Sequence, residues 1–195
     1  SSFCGTLRAQ ARFACCTSPR ITLFLVDVFF LGAGMAVVEG LLFLFFADTL
    51  GASHTLLGAT VIMTVLFEIP LFAASEKVMR WLTPTQLMAC AHLAYVVRVF
   101  GYTLIPKSMP ALVLLFEPLH GVTYALYQLT SVVALGRLAP AGLENSVQGV
   151  RSAVSSLGAL AGSVVGGAVL QSAGPNALYR GAGVLVSVAG LGYLC

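Results

Sequence analysis

The chain has 195 residues, of which 58% are hydrophobic and only 9% are charged. A soluble domain has about 25% charged residues, so a chain this apolar cannot cover its surface with polar groups. The composition therefore excludes an ordinary soluble enzyme domain and a disordered segment. The ten basic residues are scattered and balance seven acidic ones. Without a concentrated basic surface, nucleic acid is not an expected partner.

The first twenty residues contain no short apolar core with a cleavage site, so they do not predict a signal peptide. Cys15 and Cys16 lie just before the first apolar stretch and are candidates for acylation. The chain begins with Ser, and the last apolar stretch is cut off at Cys195. We interpret the chain as a piece of a longer protein.

Six long apolar stretches follow one another along the chain. Each is long enough to cross the ~30 Å hydrocarbon layer as a helix with a rise of 1.5 Å per residue. Because lipid offers no hydrogen bonds to the backbone, helices are the expected structure. The sequence predicts an all-α membrane protein with six transmembrane helices, at residues 21–47, 55–75, 84–105, 111–136, 147–173 and 177–195.

The connections between the stretches are short and contain Gly and Pro, which makes neighbouring helices antiparallel. Pro84 suits a first helical turn, whereas Pro70 and Pro118 fall inside predicted helices and are expected to kink them. Basic residues near the helix ends favour a cytoplasmic N-terminus for this segment. On that side lie Arg8, Arg12, Arg20, Lys77, Arg80 and Arg137, against Lys107 and Arg180 on the other.

Ionisable residues inside the predicted spans are the main functional signal, because each costs about 2.5–3.5 kcal/mol at a helix centre. Glu39, Arg98 and Glu117 lie at a similar depth, about 9–12 Å below the outer edge. Arg98 and Glu117 are on consecutive antiparallel helices, so we expect them to pair. Two interpretations stay open for that pair, a static link and a role in coupling.

A polar stripe runs along the fourth predicted helix. Glu117, His120, Tyr124 and Gln128 are spaced i, i+3, i+7 and i+11, which places them on one face. The rest of this helix is mainly apolar, so the stripe is expected to face a water-filled cavity or a partner. A histidine and a carboxyl group one turn apart are candidates for carrying a proton.

A second layer of charges is predicted nearer the cytoplasmic ends, where Asp27, Glu68 and Arg151 are expected to be structural. His92 is expected to be a hydrogen-bonded structural histidine. Gly158, Gly162 and Gly166 have the four-residue spacing that lets helices pack closely. No catalytic or metal-binding motif occurs, so we expect no enzyme, no metal and no cofactor.

Several segments resemble the C-terminal six-helix half of a major facilitator superfamily (MFS) transporter. The closest resemblance is to the branch of major facilitator superfamily domain-containing protein 6. The similar segments, in order, are G-M-A-V-V-E-G-L-L-F-L-F-F at 34–46, L-L-G at 56–58 with E-I-P at 68–70, R-V-F-G-Y at 98–102, E-P-L-H-G-V-T-Y-A at 117–125, and V-Q-G at 147–149 with G-A-L-A-G-S-V-V-G-G at 158–167.

This resemblance implies a twelve-helix fold of two bundles that rock around a central site. Residues 1–20 would be a cytoplasmic linker, and residues 21–195 the C-terminal bundle with its last helix truncated. A more distant proton-coupled permease of the superfamily uses an Arg on the third helix of this half, and a His and a Glu on the fourth. Arg98, His120 and Glu117 fall on the same helices, but in the order Glu-x-x-His instead of His-x-x-Glu.

Two functions are expected from these observations. The first is a secondary transporter of a small polar solute that works by alternating access, with proton coupling as an option. Its partners would be the solute, protons, the lipid bilayer and the missing N-terminal half; Glu39, Tyr124 and Gln128 would face the solute path. The alternative is a non-transporting membrane receptor or scaffold in which the same charges are static.

Overall fold

A computed structural model describes residues 19–139 and 142–194 of the chain. In these ranges the regular structure is helical. The predicted linker, apart from its last two residues, and the cysteines proposed for acylation lie outside the described residues.

Helix α1 (Pro19–Leu44) runs into a π-helical segment, Phe45–Thr49. It is followed by α2 (His54–Ala73), a short α3 (Ser75–Trp81) and α4 (Pro84–Tyr102). A 3-10 helix, Pro110–Leu115, precedes α5 (Glu117–Leu138). Helix α6 (Glu144–Leu194) is divided by the non-helical Gly174 into a first arm, 144–173, and a second arm, 175–194.

Local sequence explains where several helices begin and turn. The Ser53 hydroxyl accepts a hydrogen bond from the Leu56 amide and caps α2. Thr83 and Gln86 form a reciprocal capping box at α4, and Pro84 lies in its first turn as expected. Gly174 has a φ of 81°, in the left-handed region that glycine tolerates, and Pro175 follows it. The chain therefore turns within one residue between the two arms of α6.

Some expectations about the helices were wrong. The fourth apolar stretch was predicted to be helical from residue 111, but its first part is the 3-10 helix and α5 begins at Glu117. Pro118 therefore lies in a first turn, where a missing amide hydrogen breaks no helical bond, and the predicted kink there is wrong. Residues 76–83, predicted to be a connection, include most of α3.

Three described helical segments are long and apolar enough to cross a membrane: Ile21–Thr49, His54–Ala73 and Glu144–Tyr193. Large apolar side chains remain exposed on α2 and α6, including Ile62, Leu66, Leu160 and Val164. Soluble monomers rarely expose apolar surface on this scale, whereas lipid covers it at no cost. The chain is therefore a membrane protein.

The helices pack around a mixed aromatic and aliphatic core. Helix α1 packs on both arms of α6, α4 lies against α5 and α6, and α2 packs mainly on α5. At the centre, the Tyr102 ring makes edge contacts with Phe46, Phe116 and Tyr179.

Candidate functional site

A cavity of about 240 Å³ opens between α1, α2 and α5. Glu39 of α1 and two residues of α5, Glu117 and His120, line it together with Thr60 and Thr64 of α2. Three ionisable groups that are distant in the sequence thus share one cavity. The remaining lining residues are Val38, Leu42, Phe43 and Val61.

Both carboxyl oxygens of the buried Glu117 are hydrogen-bonded to hydroxyl groups from other helices. The Tyr102 hydroxyl of α4 donates to Oε1 at 2.6 Å, and the Thr64 hydroxyl of α2 donates to Oε2 at 3.1 Å. Glu117 therefore links α2, α4 and α5. Sequence reasoning missed both hydroxyl groups, although Tyr102 lies one helical turn after Arg98 in the quoted R-V-F-G-Y segment.

Arg98 is fully buried, and the ion pair expected between it and Glu117 does not form. None of its three guanidinium nitrogens has a hydrogen-bond partner among the described residues. Instead the guanidinium carbon lies 6.0 Å from the ring centre of Tyr95 and 5.7 Å from that of Tyr102. The prediction of direct pairing is wrong: the two carboxyl oxygens of Glu117 accept instead from the hydroxyl groups of Tyr102 and Thr64.

The charge of Arg98 nevertheless acts on the cavity. Glu39, Glu117 and His120 all lie within electrostatic range of its guanidinium group. A buried cation without a charged hydrogen-bond partner is costly, and an aromatic ring in a desolvated site offsets about 2 kcal/mol of that cost. Arg98 is therefore a strong, incompletely compensated positive charge close to two carboxyl groups.

The polar stripe of α5 continues away from the cavity as a chain of contacts. The His120 ring lies 6.5 Å from that of Tyr124, and its Nδ1 is buried with no partner among the described atoms. The Gln128 amide donates to the Tyr124 hydroxyl at 3.2 Å and accepts from Arg151 at 3.3 Å. Glu117 is buried, the other three stripe residues are half-buried, and Arg151 of α6 joins them through Gln128.

The other predicted charges lie apart from the cavity or at its edge. Asp27 Oδ1 lies at hydrogen-bond distance, 2.8 Å, from His92 Nε2, a partner that sequence reasoning had not named for it. Glu68 lies where α2 and α5 cross closely, since a Cβ on Gly121 would be 2.8 Å from the Glu68 amide nitrogen. Arg151, expected to be a separate structural charge, binds Gln148 as well as Gln128.

The three glycines of the first arm of α6 lie against α1. A Cβ on Gly158 or Gly162 would collide with the carbonyl oxygen of Phe29 or Ala33, respectively. A Cβ on Gly166 would approach a Val37 methyl group to 2.9 Å. The two helices thus meet backbone to backbone at Gly158 and Gly162, and Gly166 packs against a side chain.

The described residues contain no group of three or more His, Cys, Asp or Glu side chains that could hold a metal ion. The chemistry available at the cavity is binding of polar groups and exchange of protons.

Comparison with known families gives one match. The model of the MFS_1 like family matches residues 5–181. The chain belongs to the MFS_1 like family. This family is related to the major facilitator superfamily, so the predicted relationship is confirmed at that level and points to a transporter-type function. No curated protein and no solved structure matches this MFS_1 like chain significantly.

Proposed function

We propose that this chain forms the C-terminal half of a secondary transporter that moves a small polar solute by alternating access. In this proposal α1, α2, α4, α5 and the two arms of α6 make six crossings, with the N-terminal end of α1 on the cytoplasmic side. A second six-helix bundle would supply the other wall of the path. Within the superfamily, we propose that the chain belongs to the branch of major facilitator superfamily domain-containing protein 6.

The observation that supports this proposal best is the meeting of Glu39, Glu117 and His120 in one cavity beside the buried Arg98. Such a polar cavity in an otherwise apolar bundle is expensive and is typical of a solute or ion pathway. Structural pairing alone would be served by direct ion pairs, which these groups do not make with Arg98.

Proton coupling is proposed to act through Glu117. With its proton bound, the group is neutral and the positive Arg98 is free to attract a polar or anionic group of the solute. After the proton leaves, the carboxylate neutralises Arg98 and weakens that attraction. Tyr124 and Gln128 would continue the polar surface along α5, and Glu39 would face it from α1.

The experiment is uptake into vesicles that contain the full-length protein. A panel of radiolabelled sugars, amino acids and nucleosides is tested with and without an inward proton gradient. Glu117→Gln is expected to abolish gradient-driven uptake and to retain exchange of the solute at equal concentrations, because exchange needs no net proton movement. Glu76→Gln, at an exposed ion pair with Arg80, is the matched control.

Gradient-driven uptake by Glu117→Gln at the wild-type rate would remove Glu117 from the coupling mechanism. Absence of flux for every solute, together with binding of one of them to the protein, would favour the receptor alternative. In that case Glu117→Gln would change the affinity for the bound solute, and neither the wild type nor the variant would transport it.

A further inference from the structure

A second buried ionisable pair lies far from the cavity. Asp27 of α1 and His92 of α4 are 1% and 6% exposed, and Asp27 Oδ1 is 2.8 Å from His92 Nε2. Asp27 precedes Glu39 by twelve residues on the same helix, a rise of about 18 Å. The pair is therefore separate from the groups that line the cavity.

The hydrogen bonds of His92 determine which of its nitrogens holds a proton. Nδ1 lies 2.8 Å from the Met88 carbonyl oxygen, which can only accept, so Nδ1 is protonated. In a neutral imidazole Nε2 then has a lone pair and no hydrogen. A second proton must lie between Nε2 and Asp27 Oδ1, because two bare lone pairs would repel each other at 2.8 Å.

The imidazole ring has little freedom to turn away from Asp27. It lies against the backbone of the second arm of α6, where a Cβ on Gly190 would be 2.5 Å from His92 Cδ2. The absence of a side chain at Gly190 makes room for the ring, and the Met88 carbonyl holds its other edge. The remaining oxygen, Asp27 Oδ2, is buried without a hydrogen-bond partner among the described residues.

Among the described residues, two tyrosines on other helices interact electrostatically with this pair. Tyr127 of α5 and Tyr193 of α6 both lie within electrostatic range of Asp27. Tyr193 also interacts with Thr85, which is exposed at the start of α4. Its hydroxyl group thus offers a polar step between the pair and the end of the bundle.

We propose that Asp27 and His92 form a second site that binds one proton and uses it to join α1 to α4. With the proton present, the pair is either imidazolium with carboxylate or imidazole with carboxylic acid, and its net charge is zero. When the proton leaves to bulk water, a neutral imidazole and a carboxylate remain. The hydrogen bond between α1 and α4 is then lost, and a negative charge stays buried.

The test reads protonation directly and does not depend on transport. The full-length protein is labelled with ¹⁵N-histidine and ¹³C-aspartate and studied by solid-state NMR in lipid over a range of pH. The His92→Gln variant assigns the His92 signals among those of the other histidines. We expect Nδ1 of His92 to stay protonated throughout, and Nε2 and the Asp27 carboxyl to change together at one midpoint with a slope of one proton.

The Asp27→Asn variant removes the charge that holds the proton. We expect the midpoint of the His92 Nε2 titration to shift by more than tenfold in proton concentration, or the titration to disappear. Glu68→Gln, a carboxyl change elsewhere in the bundle, is expected to leave it unmoved. If Asp27→Asn does not fold, the wild-type signals alone decide. Independent midpoints for His92 and Asp27, or an unprotonated Nδ1, would overturn the proposal.

Discussion

The α1–α6 interface and the α2–α5 interface both bring two helices close together at glycines, but they are built from different interactions. Gly158 and Gly162 let α6 meet the backbone of α1, and the groups in contact there are carbonyls, Cα atoms and apolar side chains. At the α2–α5 interface, Gly121 allows a similar approach, yet a hydrogen bond between Thr64 and Glu117 crosses it and the cavity opens beside it.

This difference separates a fixed contact from an exchangeable one. Close packing of backbones has one favourable geometry, because any added or displaced atom collides. A hydrogen bond between helices in a membrane contributes only about 0.6 kcal/mol on average, so it can be replaced by a bond to a solute or to water. We therefore expect α1 and α6 to move as one unit and α2 to adjust against α5.

The largest effect is expected when the close contact is filled. Gly162→Leu forces α1 and α6 apart at Ala33, and we expect a loss of well over the 1–3 kcal/mol that is usual for overpacking. Gly167→Leu is the matched control, since a Cβ there has no neighbour within 4 Å. Thermal unfolding of the purified protein in detergent measures both. Equal stability of the two variants would show that the interface is looser than described.

The next largest effect is expected at Glu117. Tyr102→Phe keeps the ring under Arg98 but removes the hydroxyl donor to Glu117; the bond is short, 2.6 Å, so we expect a loss near the upper limit for hydrogen bonds between helices in membranes, about 1.7 kcal/mol. Tyr95→Phe is the control variant. The Tyr95 hydroxyl donates to the Gly34 carbonyl oxygen at 2.8 Å. Loss of this hydrogen bond should lower stability by about 0.5–1.5 kcal/mol. Equilibrium unfolding in mixed micelles gives the two values; the reverse order would contradict the role given to Tyr102.

The smallest effect is expected from the bond that crosses the α2–α5 interface. Thr64→Val should lower stability by about 0.6 kcal/mol while preserving the shape of the side chain. Thr60→Val is the control in the same cavity, because the Thr60 hydroxyl bonds within its own helix to the Leu57 carbonyl oxygen. If Thr64→Val alone changes solute uptake in the vesicle assay, the exchangeable bond is part of the transport cycle. A loss above 2 kcal/mol would instead make it a fixed contact.

Arg98 and His92 show how far sequence reasoning reaches for buried charges. The proximity of Arg98 to Glu117 was predictable, but the contact of its guanidinium group with Tyr95 and Tyr102 instead of the carboxylate was not. His92 was expected to be hydrogen-bonded, and it is, yet Asp27 was not named as its partner. In both cases the sequence gives the level of a residue in the bundle and leaves its rotation about the helix axis undetermined.

The polar stripe of α5 could be predicted because four residues on one helix share a face whatever surrounds them. The start of that helix could not, since the 3-10 segment before Glu117 is as apolar as the helix itself. The short helix α3 could not be predicted either, because its residues are polar enough to resemble a connection between helices.

The amino-acid sequence by itself determined the helical, membrane-embedded class of this protein, because apolar length and the rise of a helix require no partner. Only the tertiary structure decided that Glu117 bonds Tyr102 and Thr64, and that Asp27 bonds His92. Those choices depend on how each helix turns toward its neighbours, which is set by packing across the whole bundle.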